Sequence, residues 1–460
     1  MDAPLLDESC DKHDGLPKEK RLAAIATVVL ALAIAVMDGS IANLALPSIA
    51  TEMQASAAQA IWIINSYQIA MAVCLLPLAS LGEVVGYRRI YLVGLVMFTL
   101  ASLACAMSNT MLELSLARLM QGFGAAGILS VNTALVRFIY PARLLGRAIG
   151  YNALVAGASS ALGPTIAGVI LHFASWHWLF LINIPLGMLS FVIGIRALPF
   201  NPLSSRSYDT RSAVLCMLFV GTLLYAVDAA GHLERWPVVL GAAVVTLVSI
   251  SLLLRVQSPE APMLPLDLLR IRMFALSIGT SFCSFAAQTA TFVMLPFLLQ
   301  EKLGMSVAQA GLVLTAWPIA VALIGPVAGR LSDAVPAGVL GGIGLAVLTL
   351  GLLSLLTVDT GTSHGLIAAQ LALCGLGFGL FQAPNNRMLI SSAPRSRSGA
   401  ASGMLGAGRL VGQTIGASVV ALVLLVSVRP YSTVLVTASV LAGAACLVSL
   451  LRIRYQAAPL

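Results

Sequence analysis

Asp38 is the only carboxylate well inside any apolar stretch of this 460-residue chain. An ionisable side chain at bilayer depth costs at least ~2.5–3.5 kcal/mol and is therefore a functional candidate by default. The chemistry it offers is proton carriage, since burial favours the protonated acid and a nearby cation favours the anion. Two arginines, Arg118 and Arg409, lie inside other apolar stretches. Asp38 and Arg118 each stand seven residues from the outer end of their stretch, about 10 Å below the boundary. At equal depth they can pair, and a pair weakened by protonation is a two-state element that rocking motions can use. The plainer alternatives are an Asp38 hydrogen-bonded to a neighbouring helix and an Arg118 bonded to backbone. Seven cysteines, six of them in apolar stretches (Cys74, Cys105, Cys216, Cys283, Cys374, Cys446), form no CxxC pair. They read as small packing residues. No metal cluster, nucleotide loop or Ser/His/Asp set is visible, so an enzyme is not expected.

The elements that must position these side chains are membrane helices. The chain is 59% hydrophobic and 10% charged, against about 25% charged in an ordinary soluble protein. Fourteen stretches reach the roughly 20 apolar residues that a span needs: 22–45, 60–81, 90–108, 111–136, 146–171, 178–198, 212–230, 237–254, 274–299, 307–329, 337–357, 365–390, 400–428 and 431–451. With both ends inside, 21 of the 26 Lys and Arg fall on the cytoplasmic side. That bias follows the positive-inside rule and accounts for the net charge without nucleic acid. Trp62, Trp176, Trp178 and Trp236 then fall near the outer interface.

The chain repeats itself. Gly122, Gly124, Asn132, Pro141, Gly146, Gly150 and Gly163 return 253 positions later as Gly375, Gly377, Asn385, Pro394, Gly399, Gly403 and Gly416. Leu81, Glu83 and Val85 are answered 250 positions on by Leu331, Asp333 and Val335. Such an offset exceeds six spans and leaves spans 7 and 8 unmatched. The expected plan is a tail (1–21), a six-helix bundle (22–198), linkers with an extra helix pair (199–272), a second six-helix bundle (273–451) and a short tail (452–460). Both linkers are rich in Pro and Arg (Pro199, Pro202, Arg206, Arg211; Arg255, Pro259, Pro262, Pro265, Arg270, Arg272). Two similar halves around a midplane site are a transporter's construction.

Several stretches resemble the major facilitator superfamily, and within it the fourteen-span drug:proton antiporters. Met37-Asp38-Gly39-Ser40-Ile41-Ala42-Asn43-Leu44-Ala45-Leu46-Pro47 is similar to that group's acidic motif in span 1. Leu116-Ala117-Arg118-Leu119-Met120-Gln121-Gly122 resembles the motif whose arginine assists proton transfer. The loop Gly82-Glu83-Val84-Val85-Gly86-Tyr87-Arg88-Arg89, with Val84 where an arginine is usual, is similar to a signature that latches one conformation. Arg330 and Asp333 supply its second copy. Gly157, Gly163, Pro164 and Gly168 fit the antiporter motif, in which glycines allow close helix approach and proline allows a bend. Trp176-His177-Trp178 followed by Asn183-Ile184-Pro185 resembles a fourteen-span signature, with His177 in place of its arginine.

The resemblance implies an all-α membrane protein: the major facilitator fold with two extra central helices. It implies proton-coupled export of amphipathic, cationic drugs or biocides by alternating access, in a bacterial inner membrane with both termini cytoplasmic. The expected partners are small molecules, protons and lipid, in a monomer driven by the proton-motive force without a cofactor. A substrate cavity is expected from Asn43, Tyr67, Gln68, Gln121, Gln288, Phe292, Phe381, Gln382 and Arg409, although core packing is the plainer reading of any one aromatic. The repeat position of Asp38 is Gln288 or Ala287, so the second half offers no matching acid. Monovalent or zwitterionic substrates are therefore expected. Arg409 has no carboxylate in its own half, which leaves substrate, water or Asp38 as its partner. The alternatives are a dedicated exporter of one metabolite or a transporter-like sensor.

Overall fold

The computed structural model describes residues 15–456 apart from 142–143, 202, 204–206, 259–261 and 395–396. The tail up to Asp14 and the linker residues Pro202, Arg206 and Pro259 lie outside the described residues. Fourteen helices are long and apolar enough to cross a membrane. In the first half they are Lys18–Glu52, Ala57–Val85, Tyr87–Ala106, Met111–Ile139, Leu154–Phe173 and His177–Ala197. The extra pair is Thr210–Gly231 and Trp236–Val256. The second half holds Arg272–Lys302, Val307–Ser332, Ala337–Thr357, His364–Ser392, Ala400–Val426 and Pro430–Ile453. These are spans 1 to 14 in order, and an even number puts both described ends on one side, the terminal side.

The ends differ from expectation. Span 1 is helical from Lys18, within the stretch assigned to a tail. The helix of span 14 continues to Gln456. Arg452, also assigned to a tail, is wholly buried there. Its guanidinium donates to Asn385 Oδ1 at 2.6 Å, Ser449 Oγ at 2.6 Å and Ser277 Oγ at 3.2 Å. Three acceptors serve its two terminal nitrogens and let the helix run on. Of the four tryptophans expected at the outer interface, Trp178 and Trp236 face outward, whereas Trp62 stacks on His232 and Trp176 is buried and donates to Glu52.

The repeated glycines are contact points. A Cβ on Gly122 would fall 2.4 Å from the carbonyl oxygen of Tyr67 on span 2, and one on Gly375 2.2 Å from that of Trp317 on span 10. Gly124 meets Phe98 and Gly94 on span 3 as Gly377 meets Leu348 and Gly344 on span 11. Each half thus uses the same glycines to draw its fourth helix onto its second and third, the small-residue packing expected in lipid. Spans 2 and 10 even start alike, with capping boxes Ser56–Gln59 and Ser306–Gln309.

The halves meet along spans 5 and 10, spans 2 and 13, and spans 1 and 9. Away from the terminal side, Pro164 and Gly168 touch Gly311 and Ala308, and the Thr165 and Thr315 hydroxyls hydrogen-bond. Toward the terminal side the same faces separate. Gly157 and Gly325 have open space where a side chain would stand, and Leu154 is exposed. The two halves therefore enclose a cleft that opens toward the terminal side.

The extra pair has a structural task. Span 7 packs against spans 2 and 13, one from each half. Asp228, three residues from the end of span 7, is fully buried at this junction. It accepts from Asn65 of span 2 and, at 2.9 Å, from Ser418 of span 13. His232 stacks on Trp62 at 5.1 Å. Its Nδ1 and Nε2 each lie 2.9 Å from a carbonyl oxygen, of Asp228 and Ala58. Both nitrogens must donate to satisfy both acceptors, which selects the imidazolium. Burial alone opposes that charge. Asp228, by hydrogen bond and charge, and the two carbonyls outweigh burial and push the His232 pKa up to about 9.

Two predictions follow from this packing. A folded-state pKa raised from 6.5 to about 9 means stabilisation that is complete below the lower value and lost as pH rises through the upper. The thermal midpoint in detergent should fall over that window in the wild type and stay flatter in His232→Gln. Gly122→Ala and Gly375→Ala should each lower stability by about 1–3 kcal/mol, because the clash is with backbone that cannot turn aside. Gly443→Ala, which meets open space, is the control.

Candidate functional site

Asp38 and Arg118 meet in an ion pair, each side chain 1% exposed. The other carboxylate oxygen, Oδ1, accepts from Asn183 at 2.8 Å and Gln121 at 2.9 Å. Arg118 spends its remaining donors locally, Nε to the carbonyl of Ile63 at 3.1 Å and Nη1 to Gln121 Oε1 at 2.6 Å. Its cation lies 4.2 Å from the Tyr67 ring centroid and 5.6 Å from that of Phe180. Ser102 closes the cluster, its hydroxyl accepting from Gln121 at 2.9 Å and donating to the Phe98 carbonyl at 2.8 Å.

Five helices of the first half supply this cluster. Gln121 follows Arg118 by three residues and therefore shares its helix face. Asn183 heads the longer piece of span 6, just past the break at Ile182 that separates it from His177–Leu181. Gly187 lets that piece close on Thr99 of span 3. Gly163, from the expected antiporter motif, packs on Ser40 and Met37 beside Asp38. Pro164 and Gly168 face span 10, while Gly157 stands in the cleft wall.

Every partner of the carboxylate is a donor. A protonated Asp38 would bring a hydrogen to face the hydrogens of Arg118, Gln121 and Asn183, so protonation has to break the cluster or turn an amide over. The geometry can thus convert one proton into a rearrangement of spans 1, 3, 4 and 6. Asp38 is also buried, 2% exposed, so a cationic ligand meets no accessible carboxylate there.

The expected cavity residues divide. Asn43, Gln68, Gln288, Phe292 and Gln382 are half-buried, and the side-chain oxygens of Asn43 and Gln68 have no hydrogen-bond partner among the described residues. Phe292 leans on Trp317 at 5.1 Å. Tyr67 and Gln121 are buried in the Asp38 cluster and not in a cavity wall. Phe381 is a correction: 1% exposed, it packs edge-on to Phe378 in the core of the second half. Arg409 is exposed at mid-helix with its cation 5.1 Å from the Phe285 ring.

The expected latch residues stand apart in this cleft-open form. Glu83 is exposed and makes no ion pair among the described residues. Arg88 instead caps the end of span 6 by donating to the Ile195 carbonyl, and stacks on Phe200 at 4.2 Å. Arg89 donates to the Val85 carbonyl at 3.4 Å. The reason is local, since a helix C-terminus and an aromatic face satisfy a guanidinium as an acid would. Gly86 makes the turn between spans 2 and 3 at φ 111°, where a side chain would be strained. Arg330 is exposed, and the Asp333 side chain lies outside the described residues. Sequence reasoning missed Ser102, which no motif marks, and Asn183, which stood inside a recognised signature without a role.

Comparison with known proteins places this geometry. Residues 28–254 and 277–459 match the Major Facilitator Superfamily model. The chain is 49% identical to the uncharacterized transporter YebQ of Escherichia coli K12, over 89% of this chain and 91% of that one. It is 32% identical to the multidrug resistance protein Stp of Mycobacterium tuberculosis CDC 1551, covering 86% and 74%. It is 29% identical to the riboflavin transporter RibZ of Clostridioides difficile 630, covering 81% of each. Fourteen membrane helices, two halves built on the same glycine contacts and matches along nearly the whole length lead to one conclusion: the chain belongs to the Major Facilitator Superfamily and is a membrane transporter of that type.

Proposed function

We propose that this transporter exports amphipathic small molecules in exchange for protons, working by alternating access across a bacterial inner membrane with both termini cytoplasmic. The observation that carries the reading is the sealed Asp38–Arg118 pair, whose neighbours Gln121 and Asn183 offer the carboxylate donors only. In the cleft-open form described above, Asp38 is the anion and cargo enters from the terminal side. Proton entry from the opposite side would then disassemble the cluster and let the halves rock. Gly163 and Pro164 support export, because they fit the antiporter motif and sit where span 5 meets spans 1 and 10. The relative named for multidrug resistance supports amphipathic cargo. A dedicated exporter of one metabolite is the second reading, favoured by the likeness to a relative named for riboflavin.

Dye efflux from energised vesicles tests the coupling. Wild type should pump, and both Asp38→Asn and a protonophore should abolish pumping. An Asp38→Asn protein that still pumps against a gradient places coupling elsewhere. Stability separates function from scaffolding, because removing one partner of a buried pair costs about 3–5 kcal/mol whereas replacing both with apolar groups is often neutral. Asp38→Leu should therefore unfold at lower temperature, and Asp38→Leu/Arg118→Met should recover most of the loss. Recovered stability with no proton-driven transport is the expected result. Transport by the double variant would reduce the pair to scaffolding.

A further inference from the structure

The described residues include three arginines within membrane helices whose surroundings differ. Arg118 is neutralised by Asp38, and Arg452 donates to Asn385, Ser449 and Ser277. Arg409 has no hydrogen bond or ion pair among the described residues, only the ring of Phe285. Five N–H donors at that depth are costly to leave without acceptors.

The direction in which Arg409 points follows from its helix, Ser398–Val426. Gly408, Gly412 and Gly416 face Ile278, Phe282 and Ala286 of span 9. Gly403 and Gly406 face Leu76 and Leu75 of span 2. Ser418 faces span 7 through Gly231 and Asp228. At about 3.6 residues per turn, Arg409 projects between the first two directions and directly away from the third. It therefore faces the space between the halves, and the extra helix pair lies behind it. Ser402 and Gln413 share this face, the first exposed and the second half-buried. A lipid-facing stripe would be apolar; this one is Ser, Arg and Gln.

Among the described residues, acids are missing from the same space. Asp38 is closed off by three donors, and Asp228 lies on the far side of span 13. The cleft thus holds a cation without a counter-charge, beside the aromatic ring of Phe285 and the half-buried Gln288 one turn further along span 9. We infer that Arg409 is the counter-charge for the cargo, so that the transporter takes amphipathic molecules bearing an anionic group, a carboxylate, sulfonate or phosphate, on an apolar ring system. This inference rests on the transport reading above and replaces the cationic cargo expected from sequence. Arg409 pairs with the anionic head while the ring system lies against Phe285.

A charge series on one ring system tests it: pyrenebutyrate, its methyl ester, and a pyrenyl quaternary ammonium. Binding to the purified protein in uncharged detergent, read by pyrene anisotropy, needs no proton gradient. It can therefore fail or succeed independently of the Asp38 coupling test. Pyrenebutyrate should bind at least about ten-fold more tightly than the ester and the ammonium, the factor expected of one charge-assisted contact. Arg409→Gln should bring the acid down to the ester's affinity, and Arg409→Lys should restore part of the difference. Arg409→Gln should keep or raise the thermal midpoint, since it removes an unpaired charge, which distinguishes lost binding from lost folding. The inference is overturned if the ammonium binds as tightly as the acid, if no member binds, or if Arg409→Gln leaves the acid's affinity unchanged. It is also overturned if phosphatidylglycerol displaces the acid in an Arg409-dependent way, because the anion would then be a lipid headgroup and not cargo.

Discussion

An ion pair held out of water governs the first half of this protein. Asp38 and Arg118 gain little net stability from each other, because desolvating both charges offsets most of their attraction. Their consequence is constraint. Each charge must find its remaining hydrogen bonds within the bundle, so Gln121, Asn183, Ser102 and the Ile63 carbonyl are drawn to one point. Spans 1, 2, 3, 4 and 6 are thereby tied through polar contacts that a single proton can unsettle. In a bundle otherwise packed by small and apolar residues, this is where chemistry can act on shape.

The second half repeats the packing without the chemistry. Gly375 and Gly377 press span 12 onto spans 10 and 11 as Gly122 and Gly124 press span 4 onto spans 2 and 3. Yet the second half has no buried acid among its described residues, and its cations behave differently. Arg452 is absorbed by amide and hydroxyl oxygens, whereas Arg409 is left facing the cleft. Equal scaffolds thus carry unequal charges: one half buries a carboxylate paired with an arginine, the other presents a guanidinium with no ion pair among the described residues. The extra helix pair then spans the junction, with Asp228 and His232 joining spans 2 and 13 on the side where the cleft is closed.

Much of this was legible in the linear chain. Apolar run length fixes the number of spans, because a continuous run of about 20 apolar residues can satisfy its own backbone in lipid only as a helix. The 253-residue recurrence of glycines marks helix contacts, because only glycine permits backbone approach so close. The Asp38–Arg118 pairing could be anticipated from depth alone, since charges at equal depth in a bundle have few other partners. The same logic failed for Asp228. Residues near a span's end usually meet water, and only the docking of span 7 between spans 2 and 13 closes that end off.

Sequence by itself therefore determined which helices form, how the halves correspond and that Asp38 and Arg118 lie at one depth, since these follow from hydrophobicity, spacing and the cost of charge in lipid. Tertiary structure alone decided which way each side chain faces. Phe381 resembles a cavity aromatic in sequence and is core, because its helix face turns toward span 11. Arg88 and Glu83 resemble a latch and are apart in this form, where a helix end and a ring hold the arginine. Arg409 resembles a second buried cation and proves to be an uncovered one. Composition sets the energy of burying a group, but its neighbours are set by helix rotation and packing, which short-range spacing does not encode.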